Sequence, residues 1–304
     1  MAVTRLLGVA LLLAYAVLSS TDASGAERTR LRHLTSIYFD EKGVSLKNPE
    51  GVACNDASSL VVGDTRNGRL LRYAVDGRSV KPAGEIRVPQ VSSPIRVQMN
   101  SKGDIFALDG KQRRIARFGA GGEFGGYVNP EGMPPSTEFV PRSVKIDRND
   151  DIYILDVFSA RVLVLGPEGK FRRQMEFPKE YGFISDLAVD FKGTIFLVDS
   201  VRAMIFVAAK DAKTFTPLTQ GLREHLSFPT SLTTDSRGGL YAVDENGAGV
   251  VLLGQDGSFL GRQLAMGWNE GLLYYPSQMC VNQRDEAFIA DRGNSRVQVF
   301  SIVR

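Results

Sequence analysis

The segment Phe288-Ile289-Ala290-Asp291-Arg292-Gly293-Asn294-Ser295-Arg296-Val297-Gln298-Val299-Phe300 holds an apolar run closed by Asp, a polar turn, and a second apolar run opened by Arg. Two such runs read as adjacent strands joined by a tight turn. The Asp-closed run recurs at Asp64, Asp109, Asp156, Asp199, Asp244 and Asp291, with gaps of 45, 47, 43, 45 and 47 residues. Fifteen residues before these stand Pro49, Pro94, Pro141, Ile184, Pro229 and Pro276. Five prolines at one register of six units define a repeat, and a period of this size overrides any local reading.

Each unit carries four strand-like segments. A short apolar segment follows the Pro. Then Asn55, Asn100, Asp147, Asp190, Asp235 or Asn282 opens a turn, which these side chains favour by bonding their own backbone. Three residues on stand Ser58, Gly103, Asp150, Gly193, Gly238 and Asp285, mostly types that tolerate positive φ. The next run, such as Ile152-Tyr153-Ile154-Leu155, is apolar on both faces, as a sheet covered on both sides requires. A third strand and a more polar fourth complete the unit. Four antiparallel strands per unit of this length predict a propeller blade.

The segment from Phe288 to Phe300, and next to it Val62-Gly63-Asp64-Thr65-Arg66-Asn67-Gly68-Arg69-Leu70, resemble the NHL repeat, and the resemblance extends over all six units. It implies an all-β, six-bladed β-propeller of four-stranded antiparallel blades, filling a single domain over residues 27–304. Arg stands five after the Asp at Arg69, Arg114, Arg161 and Arg296, whereas Met204 and Gly249 replace it in units four and five. The sixth unit ends after its third strand, and an open sheet edge is a liability. Residues 34–39 are therefore expected to pair with residues 296–303 as the outer strand of the last blade, closing the ring.

Residues 1–26 read as a signal peptide. Arg5 precedes an apolar run over residues 6–18, and Ser24-Gly25-Ala26 supplies small residues before a cut. The run is shorter than the roughly 20 residues of a membrane span. The expectation is an exported protein, periplasmic or extracellular, with no membrane span after cleavage. A composition of 43% hydrophobic and 23% charged residues is that of a globular chain. A net charge of +3 argues against a nucleic-acid partner.

The six aspartates look like a catalytic array, but all units carry one, as blade architecture would require and a single active site would not. They are expected to accept backbone N–H bonds in the following turn, with the repeat arginines as partners or strand edges. His33 and His225 stand at no strand end, so neither is expected as a general base. With 2 His, a three-His metal site is excluded within one chain. No metal and no cofactor is expected, and no Cys-x-x-Cys-His haem motif is present. The glycine-rich residues 119–126 read as a turn between third and fourth strands. Trp268, in the linker before blade six, is expected to pack on the propeller, against the alternative of part of a partner surface. Cys54 and Cys280 fall on innermost strands of blades that become neighbours when the ring closes. A disulfide is expected there, against the alternative of two buried thiols.

The Pro that starts each first strand and the Asp that ends each second strand must share a face, because two antiparallel strands separate them. Loops on such a face are where functional residues gather. Positions where the units differ are the candidates for binding a partner: Glu50, Arg96, Arg142, Asp186, Ser231 and Gln278 after the Pro, and Arg66, Lys111, Arg113, Phe158, Arg202, Asn246 and Arg292 after the Asp. The set is mostly basic, which predicts an acidic protein or anionic glycan partner. The reading is a binding or scaffold module, for instance an assembly or electron-transfer partner outside the cytoplasm. The alternative is a metal-assisted, lactonase-like hydrolase or lyase with its site at the channel mouth.

Overall fold

A computed structural model describes residues 29–134 and 138–304, so the expected signal peptide lies outside the described residues. They form six four-stranded antiparallel sheets. The innermost strands are Gly51–Cys54, Pro94–Met99, Pro141–Ile146, Ile184–Val189, Pro229–Thr234 and Pro276–Val281. Each runs antiparallel to the Asp-ending strand beside it, with Pro94 opposite Asp109 and Pro141 opposite Asp156. Second strands such as Ile105–Asp109, Ile152–Asp156 and Ile195–Asp199 are buried throughout. Outer strands are wetter, and that of blade four is only Thr216–Pro217.

The double-sided burial follows from strand geometry. Successive side chains point to opposite faces, so Leu155 enters the core between blades three and four while Ile154 enters that between blades two and three. Six such wedge cores, one at each blade junction, replace a single central core.

Strand Arg30–Ile37 is the outer strand of blade six, paired with Arg296–Val303 from Arg30 opposite Val303 to Ile37 opposite Val297. The ring closes as the repeat arithmetic predicts, but the strand starts four residues earlier, and Phe39 leaves the sheet to bridge Ser45. A bulge between His33 and Thr35 accounts for the placement. Without it Leu31 and Ile37 would share a face; the extra residue sends them to opposite faces. Leu31 fills the core between blades five and six, and Ile37 that between blades six and one.

The turns repeat as closely as the strands. Asn55, Asn100, Asp147, Asp190, Asp235 and Asn282 each accept, through Oδ1, the N–H groups two and four residues on. The left-handed turn position is filled by Ser58, Asp150 and Asp285 at φ 64°, 62° and 57°, and by glycine elsewhere. A second left-handed position, four after each Asp, holds Gly68, Arg113, Ala160, Ala203, Ala248 and Ser295. Its residue types share nothing that would reveal it in sequence.

Candidate functional site

The six strand-end aspartates are buried to within 1% of full coverage, and their oxygens are occupied. Asp109, Asp156 and Asp199 accept amides of the following turn as expected, whereas Asp64, Asp244 and Asp291 accept none there. All six reach back to an amide of the linker entering their own blade, a role absent from the sequence reading. Asp199, for example, accepts the N–H groups of Gly182 and Phe183 from the linker and those of Val201 and Arg202 from the turn. Arg69, Arg161 and Arg296 pair with their aspartates at 2.7, 2.9 and 2.7 Å. Arg114 does not pair and stacks on Tyr127, 3.5 Å from the ring centroid. In blade five Arg262, from the outer strand, reaches Asp244 at 2.9 Å. It can do so because a Cβ on Gly249 would stand 2.8 Å from its Nη2. These aspartates are joints of the scaffold.

A different polar group, found once, fills the channel axis. Lys145 and Asp186 form an ion pair at 3.1 Å, with side chains 9% and 0% exposed. Asp186 also accepts the Ser143 hydroxyl and the amides of Leu187 and Leu232, and Lys145 Nζ donates to the Leu232 carbonyl. Arg96 reaches across to Ser277 Oγ and the Thr230 carbonyl at 3.1 and 3.0 Å. Gln278 accepts from the amides of Val52 and Val97 and donates to the Val97 carbonyl. All six blades are tied across the axis, and these side chains plug it. Burial pushes the Asp186 carboxyl up, but Lys145, Arg96 and its hydrogen bonds outweigh burial and hold it below the usual range. Burial dominates at Lys145 and lowers its ammonium despite Asp186.

Arg96, Asp186, Ser231 and Gln278 therefore belong to this plug, and the expectation of them as rim groups is corrected: all four are buried. They stand two residues after the Pro register and point to the axis. Glu50 and Arg142 stand one after it, are only partly buried, and line the mouth above the plug. Neither makes a side-chain hydrogen bond or ion pair among the described residues; Arg142 lies over the Phe183 ring at 5.3 Å. Burial raises the Glu50 carboxyl, opposed by Arg292, Arg96 and Arg142 and aided by Glu245. Burial and the Arg96 charge lower Arg142. The five groups thus share one field. Arg292 is held by Glu245 at 2.5 Å. Polar atoms around this mouth and plug also lack partners: Arg96 Nε, Arg142 Nε, Thr230 Oγ1 and Ser231 Oγ.

The remaining candidates lie further out. Arg66, Lys111, Arg113, Phe158 and Asn246 are exposed, and Arg202 donates to the Glu180 carbonyl. Neither histidine nears the channel: His33 bonds Ser36 on the outer strand, and His225 stacks on Phe259. Trp268, expected to pack, is 75% exposed. On the far side of the plug, a cavity of about 200 Å³ lined by Gln98, Lys145, Thr233 and the cysteines opens to the opposite mouth. Cys54 and Cys280 are joined there as a disulfide between blades one and six, their Cα atoms 6.0 Å apart. No group of three His, Cys, Asp or Glu among the described residues is placed to hold a metal ion.

Residues 273–300 match the NHL repeat family. No curated protein matches the chain by sequence. In structure it is similar to a streptogramin B lyase, at 14% identity over 91% of this chain and 88% of that one, TM-score 0.61. It is similar to a gluconolactonase from Xanthomonas campestris, at 16% identity over 92% and 91%, TM-score 0.63. A PQQ-bound aldose sugar dehydrogenase from Streptomyces coelicolor shares 14% identity over 91% and 99%, TM-score 0.63. At such identities the likeness establishes a common fold, which hosts unrelated chemistries.

Proposed function

We propose that this six-bladed propeller, whose residues 273–300 match the NHL repeat, is a binding module that receives an anionic partner at the channel mouth on the Pro–Asp face. The observation that carries this is the unpaired state of Glu50 and Arg142 above a plug whose charges are matched. A half-buried guanidinium with carboxylates near it but none in direct contact keeps a desolvation cost that a ligand carboxylate would offset. Glu50 beside it would tune selectivity by repelling anions that do not reach Arg142. The signal-peptide pattern of residues 1–26, together with a disulfide, supports export to an oxidising compartment.

An enzyme of the lactonase or lyase kind at the same mouth is the second reading, suggested by the activities of the proteins that share its fold. It has less support in the side chains. Asp186 spends its oxygens on Lys145, Ser143 and two amides, and no histidine approaches the mouth to serve as a base. Calorimetric titration with an octaglutamate peptide and with an oligouronate at low salt tests the proposal. One of these anions should bind, and Arg142→Glu should weaken it about tenfold, while Lys81→Glu on the outer strand of blade one should not. Equal loss at both positions, or turnover of a sugar lactone with no anion bound, would reject it.

A further inference from the structure

Beside the mouth, the linker before blade six presents an aromatic ledge. Trp268, Tyr274 and Tyr275 follow one another with ring centroids 6.1 and 4.7 Å apart. Trp268 is 75% and Tyr275 40% exposed. The ledge runs into the mouth: Arg292 Cζ lies 5.9 Å from the Tyr275 centroid, and the same Arg292 acts on Glu50.

The ledge is anchored. Tyr274 donates its amide to Asp291, and Asn294 donates to the Gly267 carbonyl. Arg296 donates to the carbonyls of Asn269 and Leu272, and Gln298 to Leu272 while accepting the Gly271 amide. The ring of Tyr275 is carried on a backbone at φ 47°, unusual for a bulky residue, immediately before Pro276. Rings fixed in this way meet a ligand at little entropic cost.

Resting on the reading above, we infer that the ligand is an anionic saccharide. Its carboxylate meets Arg142, and another ring of the same saccharide lies on Trp268 and Tyr275. The chemistry favours a sugar over an acidic peptide. Trp268 and Tyr275, tilted by 50° and 64° against the Tyr274 ring between them, each present an exposed amphipathic face that suits the C–H face of a pyranose and offers a peptide side chain no pocket to fill. Exposed Asn246 offers a polar group to hydroxyls at the same edge, next to the Arg292–Glu245 pair. Arg142, Arg292 and exposed Arg66 supply the charge complement.

Trp268 is the chain's single tryptophan, so fluorescence excited where tyrosine does not absorb reports on the ledge alone. The probes are tetragalacturonate, its neutral tetragalactose counterpart, and octaglutamate. Tetragalacturonate should shift Trp emission saturably and bind more tightly than the neutral tetramer. By calorimetry, Trp268→Ala and Arg142→Gln should each weaken it about tenfold. Octaglutamate binding that leaves emission unchanged and is indifferent to Trp268→Ala overturns the saccharide assignment but leaves the mouth as an anion site. Equal binding of the neutral tetramer overturns the role of charge. Failure of both anions to bind overturns this inference and the parent reading together.

Discussion

Two sets of buried acids coexist in this ring, the strand-end aspartates and Asp186. Both are sealed from water, and both accept several hydrogen bonds. The strand-end set occurs in all six blades and closes mostly on backbone amides of its own unit. Asp186 occurs once and closes on side chains and backbone from the two flanking blades. Repetition marks a part of the scaffold, because each blade has a linker amide to satisfy at the same place. A polar group that appears in one blade answers a demand the scaffold does not make. Its cluster extends upward into Glu50 and Arg142, the charges left open.

The sharpest way to break this comparison is to delete one acid of each kind. Asp186→Ala strips the nearly buried Lys145 of its counter-ion and should cost about 3–5 kcal/mol, as loss of one partner of a buried pair does. Asp199→Ala leaves four backbone amides short of an acceptor, but its turn and linker lie near solvent, so about 2–3 kcal/mol is expected. The double change Asp186→Leu with Lys145→Met should recover most of the first loss, because an apolar replacement removes both desolvation penalties. Urea unfolding would measure all three. No recovery in the double variant would mean that the ion pair is scaffold after all.

Most of the fold was legible because the repeat arithmetic is redundant: six aspartates and five prolines overdetermine the blade. What escaped was either non-periodic or a matter of depth. Arg262 stands 18 residues from the Asp244 it serves, in a strand with no fixed register, so no spacing announced it. The bulge after His33 shifted the closing strand, since the pattern around Leu34 shows apolar content but not a change of face. Arg96, Asp186 and Gln278 were singled out correctly as positions where units differ. Their burial was not visible, because one residue of register separates a rim side chain from one aimed at the axis, where six strands converge.

The disulfide offers a second, smaller lever. Cys54 and Cys280 tie the first and last blades beside the plug, where the outer strand of blade six already closes the ring. The bridge spans 226 residues of chain, and its removal should destabilise by about 2–4 kcal/mol. Cys54→Ala with Cys280→Ala should lower the melting temperature while leaving anion binding at the opposite end of the channel unchanged. If binding fell together with stability, the plug would be coupled to ring closure, and the division between scaffold and site would narrow. Two thiols titrating in the denatured, unreduced protein would remove the bridge from the argument.

The smallest expected effect isolates the open charge itself. Burial raises the Glu50 carboxyl, so the folded protein binds this proton more readily than the unfolded chain. The linkage therefore has a definite sign: the contribution of Glu50 is fully present below the unfolded glutamate value of about 4.3 and fades as pH rises through the raised folded value. Asp109 supplies no such signature at this end of the range, since it is held below the usual carboxylate value: burial pushes it up, and four amides outweigh that effect. Relative to Glu50→Gln, the native protein should gain about 1–2 °C in melting temperature between pH 7 and pH 5. Anion affinity should rise over the same interval, because neutralising Glu50 leaves Arg142 and Arg292 unopposed from that side. Parallel melting curves for the two proteins across this range would show that Glu50 is solvated like any surface glutamate, and the mouth would then hold no charge in reserve for a ligand.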